Sequence, residues 1–215
     1  MDSHQIVVNE VVFGENFVPD EAHYRSKAVE LTRKCLRPET RSSQPMHVWI
    51  SGDSGCGKTM LARYASRELR RDNRIEAVYL NCWRDNTLYK AVERIIDELR
   101  ILGAEPQNTN FKLERLKRYL IDRYLIVVLD EIDMVAPKDR EEILHGLLTI
   151  SRVGLICISR KSASFHLLDL GTKARLNPCL IELDAYSNNQ IVGILSDRAS
   201  YGLAEGSHGR SILDK

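Results

Sequence analysis

One stretch, Gly52–Thr59, constrains the fold of this chain more than any other. It reads G-D-S-G-C-G-K-T, follows the apolar run Val48–Ile50, and leads into Met60–Ala65, which contains no glycine or proline. A strand, a glycine-rich loop and a helix in that order, with the spacing G-x-x-x-x-G-K-T, form the P-loop pattern that binds nucleotide phosphates. The alternative is a chance glycine turn before an ordinary helix, and the flanking strand and helix both argue against it.

Each residue type in this stretch has a physical purpose. Gly52, Gly55 and Gly57 allow backbone angles closed to other residues, so that consecutive N–H groups turn inward and form a nest for an anion. The helix that begins near Lys58 directs the positive end of its dipole at the same point. Lys58 is expected to reach the terminal phosphates, and the Thr59 hydroxyl to take one Mg²⁺ position. The remaining predicted nucleotide contacts from this stretch are Asp53, Ser54, Cys56 and Met60.

A second motif lies about seventy residues downstream. The run Leu125–Leu129 is wholly apolar and ends in two carboxylates, Asp130 and Glu131. At the end of a parallel strand such carboxylates emerge at the sheet edge where open α/β folds bind ligands. We therefore expect Asp130 to hold Mg²⁺ with Thr59, and Glu131 to activate the attacking water as a general base. Two acids that begin a solvated loop are the alternative.

Composition bounds the class of protein. The chain has 215 residues and a formal net charge of +1, which is enough length for one good-sized core and gives no global attraction to nucleic acid or anionic membrane. Its five cysteines are scattered singly, which favours reduced thiols in a cytosol-like compartment. The start lacks a signal-peptide pattern and the longest apolar runs are too short for a bilayer. We expect a cytoplasmic, nucleoid-associated protein, or a nuclear one if the source is eukaryotic, without a membrane partner.

Strand and helix patterns alternate along the chain, which predicts a parallel sheet sandwiched between helices. The predicted strands are Met46–Ser51, Ala77–Cys82, Leu125–Leu129, Val153–Ser159 and Cys179–Leu183. The predicted helices run from Asp20 to Leu36, from the P-loop to Leu69, over Thr87–Leu102, Lys112–Asp122 and Arg140–Leu148, and from a Ser187 cap toward Ala199. Residues 103–110 are predicted to form a loop, and residues 1–17 an edge strand or extended arm.

Taken together, these motifs resemble the AAA+ ATPases, specifically the initiator clade of origin-recognition and replication-licensing proteins. The segments that carry the resemblance are Phe17–Asp20 with Tyr24 and Arg25, Val78–Cys82 followed by Asn86 and Thr87, Leu129–Asp133, and Leu155–Ser159. The resemblance implies a P-loop NTPase (AAA+) fold, a three-layer α/β/α arrangement with a five-stranded, mainly parallel sheet. It also implies binding of ATP or ADP with Mg²⁺, slow ATP hydrolysis, and DNA reading through a separate winged-helix domain.

The same resemblance implies further nucleotide contacts. Val18, Pro19 and Arg25 belong to the lead-in that the family places beside the adenine. Ser159 and Arg160 end the segment similar to the sensor-1 strand. The family has an asparagine where this chain has Arg160, and that departure bears on hydrolysis.

Two arginines near the end of the chain complete the implied set. Lys173–Leu176 resembles the box that supplies an arginine finger to a neighbouring subunit, so Arg175 is the predicted finger. Such a finger is worth about 10³–10⁵ in rate, so an isolated subunit should turn over slowly. Gly209 and Arg210 are similar to the sensor-2 helix of the lid, which makes Arg210 a predicted nucleotide contact.

The predicted domain organisation has three parts: an N-terminal arm over residues 1–17, an AAA+ nucleotide-binding domain over 18–184, and a partial lid helix with a weakly ordered tail over 185–215. The expected partners are ATP, other AAA+ subunits or a second copy, and DNA, contacted weakly or through partners. Two basic sets are candidates to contact a phosphate backbone. The alternative, that they form solvated helix faces, is favoured by the balanced charge of the chain. They are Arg63, Arg67, Arg70, Arg71 and Arg74, and Lys112, Arg115, Lys117, Arg118 and Arg123.

Three functions remain open at this stage. The first is an initiator-type ATPase whose nucleotide state controls assembly on DNA. The second is a nucleotide-gated interaction switch that binds ATP without hydrolysing it, which Arg160 favours. The third is a transposon-associated AAA+ helper that selects targets. A kinase is the least favoured alternative, because L-D-E-I-D points to activation of water.

Overall fold

Five strands form one sheet at the centre of this computed structural model, which describes residues 7–14, 17–38, 44–101 and 108–204. They are β1 (Val48–Gly52), β2 (Ile75–Asn81), β3 (Tyr124–Asp130), β4 (Val153–Ser159) and β5 (Cys179–Leu183). The spatial order is β2-β3-β4-β1-β5, and each neighbouring pair is parallel. The predicted five-stranded parallel sheet is confirmed.

Eight α-helices connect and follow these strands within the described residues. They are α1 (Ser26–Leu36), α2 (Lys58–Leu69), α3 (Leu88–Glu98), α4 (Thr109–Tyr119), α5 (Pro137–Leu148), α6 (Ala163–His166), α7 (Leu170–Leu176) and α8 (Asn188–Gly202). Side chains that accept a backbone N–H begin α3, α4, α7 and α8, because the first turn of a helix leaves its donors unpaired. None of the helices among the described residues is both long and apolar enough to cross a membrane.

The two faces of the sheet pack against different helices, which gives the three layers. Strand β3 is buried at every position, and its side chains alternate between the faces. Leu125, Val127 and Leu129 join one apolar cluster with α3, α4 and α5. Ile126 and Val128 join the other cluster with α1 and α2. Burial on both sides explains why this strand is a continuous apolar run in the sequence.

Several predicted boundaries require correction. The helix predicted from Asp20 begins at Ser26, because Tyr24 adopts a left-handed conformation (φ 63°) that no α-helix accommodates. The structure adds α6 and α7 between β4 and β5, where no helix was predicted. In the N-terminal arm Val7 forms a single antiparallel bridge with Leu203, and Glu10–Phe13 is a short 3₁₀ helix rather than a strand. Of the loop predicted over 103–110, residues 103–107 lie outside the described residues, and Asn108 caps α4.

A partly buried histidine bonds the start of β1 to β4. His47 immediately precedes β1, and its Nδ1 accepts a hydrogen bond from the backbone N–H of Leu155 in β4 at 3.1 Å. Burial lowers the pKa of His47 from 6.5 to about 4, because the imidazolium loses its hydration there. The ring is therefore neutral in the folded protein at pH 7.

This lowered pKa predicts a loss of stability in mild acid. Between about pH 6.5 and pH 4 the unfolded chain binds a proton at His47 that the folded chain does not, so the free energy of unfolding falls as pH falls through this window. The contribution is fully present above pH 6.5. We expect His47→Asn, whose amide oxygen replaces the acceptor, to flatten this part of the profile in urea unfolding at pH 7, 6 and 5. Equal slopes in the two proteins would contradict the assignment.

Candidate nucleotide-binding site

The P-loop joins β1 to α2 through three glycines with positive φ. Gly52, Gly55 and Gly57 have φ values of 148°, 79° and 90°. A side chain at Gly52 would collide with the carbonyl oxygen of Leu183, and one at Gly57 would place its Cβ 2.5 Å from the Tyr186 hydroxyl. Both positions therefore require glycine for space as well as for conformation. Gly57 is the N-cap of α2, so the first N–H groups of that helix face the loop.

Lys58 is held over the loop by backbone oxygens. Its Nζ donates to the carbonyl oxygens of Gly52 and Asp53, both at 2.7 Å, and lies 3.8 Å from the sulfur of Cys56. Cys56 is buried, whereas Asp53 and Ser54 are exposed at the outer edge of the loop. The lysine, the loop and the start of α2 thus concentrate positive charge and N–H donors at one point.

Asp130 is the most heavily bonded side chain of the site. Its Oδ2 accepts from the hydroxyls of Thr59 and Tyr79, both at 2.7 Å, and its Oδ1 accepts from the backbone N–H of Glu131 at 2.9 Å. Three elements, α2, β2 and β3, therefore meet at one carboxylate that is only 4% exposed. The two motifs that lie far apart in the sequence come into direct contact here.

The donor set at this point suits a magnesium ion. Mg²⁺ binds hard oxygen ligands and in nucleotide sites takes one or two from protein side chains. The Thr59 hydroxyl and the Asp130 carboxylate supply two such oxygens beside the P-loop.

Glu131 follows in a left-handed conformation, with φ 58°. That conformation ends β3 and turns the chain into a short 3₁₀ helix, Ile132–Met134. Its Oε1 lies 3.6 Å from Nη2 of Arg160, and the backbone N–H of Arg160 donates to Asp133 at 3.0 Å. The residue that stands in place of the family's asparagine is therefore adjacent to the predicted general base.

Ser159 lies in the interior rather than at the site. Its side chain is 1% exposed, accepts from the indole N–H of Trp49 at 2.9 Å, and donates to the carbonyl oxygen of Lys161 at 2.9 Å. Its hydroxyl is thus engaged within the protein. Ser159 pairs with Ser51 just before the P-loop, whereas Arg160 contacts Glu131 and Asp133.

Arg25 ties three distant segments together. It donates to the carbonyl oxygens of Cys56, at 3.0 Å, and of Asp184, and its guanidinium lies 4.2 Å above the ring of Tyr186. The contact with Tyr186 has the geometry of a cation–π interaction. Arg25 therefore connects the P-loop to the segment between β5 and α8.

A cavity of about 350 Å³ opens beside the P-loop, between the N-terminal segment and α8. It contains four of the predicted nucleotide contacts, Pro19, Gly55, Gly57 and Met60. Phe17 and Asp20, from the same predicted lead-in, also line it. The other lining residues were not predicted: Glu21, His23, Tyr186, Ile191, Ile194, Leu195, Asp197, Arg198 and Tyr201. Apolar and aromatic groups beside an anion nest fit a ligand with a flat base and a charged tail.

Two of the remaining predicted residues, Val18 and Arg175, do not line this cavity. Val18 accepts from Arg67 through its carbonyl oxygen at 3.1 Å and lines a different cavity. Arg175 is exposed on α7 and contacts its own α5, with Nη1 3.4 Å from His145 Nδ1 and Nη2 3.3 Å from the carbonyl oxygen of Leu148. Arg210 lies outside the described residues.

The sequence analysis did not identify Tyr79 and Tyr186 as site residues, although the position of each in the sequence gives a weak indication. Tyr79 lies two residues before the end of β2, at the sheet edge where Asp130 emerges from the neighbouring strand. Tyr186 follows β5 directly and precedes the Ser187 cap. Both positions are at carboxyl ends of parallel strands, where ligands bind in open sheets.

Comparison with known proteins agrees with this geometry. A family model described as an AAA domain matches residues 40–180. The chain is 30% identical over 200 residues to ORC1-type DNA replication protein 1 of Halobacterium salinarum, covering 90% of this chain and 64% of the relative. It is 27% identical over 228 residues to the ORC1-type DNA replication protein of Thermococcus kodakarensis, covering 96% of this chain and 54% of the relative.

Solved structures give the same result. Cdc6p from Pyrobaculum aerophilum superposes with a TM-score of 0.82 at 26% identity, covering 97% of this chain and 57% of that one. The Aeropyrum pernix ORC1 protein, solved in complex with DNA, gives a TM-score of 0.80 at 25% identity, covering 96% and 56%. The chain thus spans between half and two thirds of the length of these proteins.

The Asp130 contacts lead to a stability prediction. Tyr79→Phe removes one donor from a buried carboxylate, and a hydrogen bond to a charged group contributes about 1.5–3 kcal/mol. Burial and the bond to Asp130 raise the pKa of Tyr79 to about 12, so the phenol remains a donor throughout the working range. We expect the variant to lose roughly that free energy of unfolding in urea. Tyr119→Phe, whose hydroxyl makes a longer 3.4 Å contact with Glu76, is the matched control and should lose less.

Proposed function

Because the chain belongs to the AAA domain family, we propose that it binds ATP with Mg²⁺ and hydrolyses it slowly as the nucleotide-dependent module of a DNA replication initiator. The observation that carries the proposal is the 2.7 Å contact between Thr59 in the P-loop helix and Asp130 at the end of β3. A chance glycine turn has no reason to meet the acidic end of another strand. Phosphate nest, metal oxygens and base cavity lie side by side at one sheet edge.

Each predicted residue has a role in this proposal. Lys58 and the N–H groups of Gly55 and Gly57 bind the phosphates, and Thr59 and Asp130 hold the metal. When bound, Mg²⁺ neutralises charge on the phosphate oxygens. Glu131, half-exposed next to Asp130, orients the attacking water and accepts its proton.

The initiator assignment rests on the relatives. Two of the similar proteins are named ORC1-type DNA replication proteins, and one similar structure was solved in complex with DNA. We propose that this chain likewise acts with DNA and with other AAA+ subunits, its nucleotide state controlling assembly. Arg175 is exposed and is the candidate to complete a neighbour's site. Its two contacts with α5 are long, at 3.4 and 3.3 Å, so a change of the Arg175 rotamer is enough to break them.

A second candidate function is a nucleotide-gated switch without hydrolysis. The observation that favours it is the Arg160 guanidinium 3.6 Å from the Glu131 carboxylate. An ion pair at this distance engages the carboxylate oxygen that would otherwise orient the attacking water. Nucleotide binding, which depends on the P-loop and Asp130, is unaffected by this pair.

Single-turnover hydrolysis of radiolabelled ATP tests the proposal. We expect slow turnover in the wild type, a loss of at least about 10²-fold in Glu131→Gln with ATP binding retained, and a loss of binding in Lys58→Ala. Asp97→Ala, which removes an exposed carboxylate from α3, is the control and should leave turnover nearly unchanged. Absence of any ATP or ADP affinity with Mg²⁺ would refute the proposal. Binding without turnover in the wild type would establish the switch.

The Arg160 contact gives a separate prediction. Arg160→Asn restores the residue that the resembled family has there and removes the cation beside Glu131. We expect single-turnover hydrolysis to rise several-fold, because the Glu131 carboxylate is released from the ion pair and is free to orient the water. Arg160→Lys keeps the charge and should behave like the wild type. A slower Arg160→Asn protein would instead assign Arg160 to the phosphates.

A further inference from the structure

A second cavity, of about 460 Å³, lies on the opposite side of α2 from the P-loop cavity, against the edge strand β2. Four of its ten lining residues are arginines: two lie on one face of α2 at positions i and i+4, and two follow the last residue of that helix. The arginines that line it are Arg63, Arg67, Arg70 and Arg71, and no carboxylate is among the lining residues. The cavity is larger than the candidate nucleotide cavity beside the P-loop.

The positive charge of this cavity is largely uncompensated. Arg71 forms an ion pair with Glu68 at 3.1 Å. Arg67 donates to two carbonyl oxygens, those of Val18 and Pro19. Within the described part of the chain, neither Arg67 nor Arg70 has a carboxylate within ion-pair distance, although the whole chain carries a net charge of only +1. Positive and negative side chains balance over the whole chain, but positive side chains predominate around this cavity.

Two polar atoms beside the cavity have no hydrogen-bond partner. Ser66, which is 7% exposed and lines the cavity, has a buried hydroxyl without a partner. The Nε of Arg63 is likewise buried and unpaired, while its guanidinium stacks 3.8 Å over the ring of Tyr79. Unsatisfied buried donors cost about 1–3 kcal/mol each. Both atoms are shielded from solvent, so the exposed side chains of Arg70 and Arg71 are the donors most accessible to an anion in the cavity.

We propose that this cavity is a phosphate-binding site distinct from the P-loop. Guanidinium groups bind phosphate oxygens through paired, charge-assisted hydrogen bonds. Helix α2 and the turn after it present four guanidinium groups to the cavity, at a spacing that a phosphate chain can follow. The ligand class is a phosphate-bearing anion of about nucleotide size. Its source is either the backbone of a nucleic acid or a free polyphosphate.

The proposal does not rest on the P-loop function, so its test is made with the P-loop disabled. The protein is Lys58→Ala in EDTA, and the probes are a fluorescein-labelled 16-nucleotide single strand, read by anisotropy, and inorganic pyrophosphate, read by calorimetry. The test variant adds Arg70→Glu, because Arg70 is exposed and has no ion pair to break. The control adds Arg33→Glu, an exposed arginine on α1 with the same change in charge.

We expect Arg70→Glu to weaken binding of at least one probe by tenfold or more, and Arg33→Glu to change it less than threefold. Loss of DNA binding, with the salt slope of log K reduced by about 0.7 for each phosphate contact removed, assigns the site to a nucleic-acid backbone. Loss of pyrophosphate binding assigns it to a free polyphosphate. If neither probe binds, or if the two variants bind alike with unchanged thermal unfolding, the site does not exist.

Discussion

The convergence of α2, β2 and β3 on Asp130 is the interaction on which the site depends. A carboxylate that is 4% exposed is costly to bury unless donors surround it, and Thr59, Tyr79 and the Glu131 N–H supply them. Because each donor comes from a different segment, the bond distances fix the relative positions of the P-loop helix and two strands. The site's geometry and part of the fold's specificity therefore share one cause.

Local chemistry explains how much was predictable from the sequence. The glycine spacing, the apolar run of β3 and the Ser187 cap are local signals, and they gave the sheet, the P-loop and the start of α8 correctly. The Thr59–Asp130 contact followed from the rule that parallel strands end at one edge.

The features that the sequence did not predict have a different origin, because each depends on contacts between distant segments. No local pattern marks Tyr24 as left-handed, and Tyr24 ends its segment against α8, where its hydroxyl occupies the space a Gly193 side chain would need. Tyr79 and Tyr186 belong to no site motif in the sequence, and only the folded strands place them beside Asp130 and Arg25. Arg160 was recognised as a departure from the family, but its pairing with Glu131 required the fold.

The pairing of the two ends of the described chain has a consequence for biosynthesis. Val8 and Asn9 donate to the carbonyl oxygen of Gly202, and Phe13 packs where a Gly202 side chain would lie. The arm is synthesised before α8, the helix against which it packs. At about 5–20 residues per second, the arm waits roughly 10–40 s for its partner, so the sheet has time to form before the arm closes over α8. During that interval the exposed arm is accessible to chaperones, and the base cavity is completed only when translation has passed residue 202.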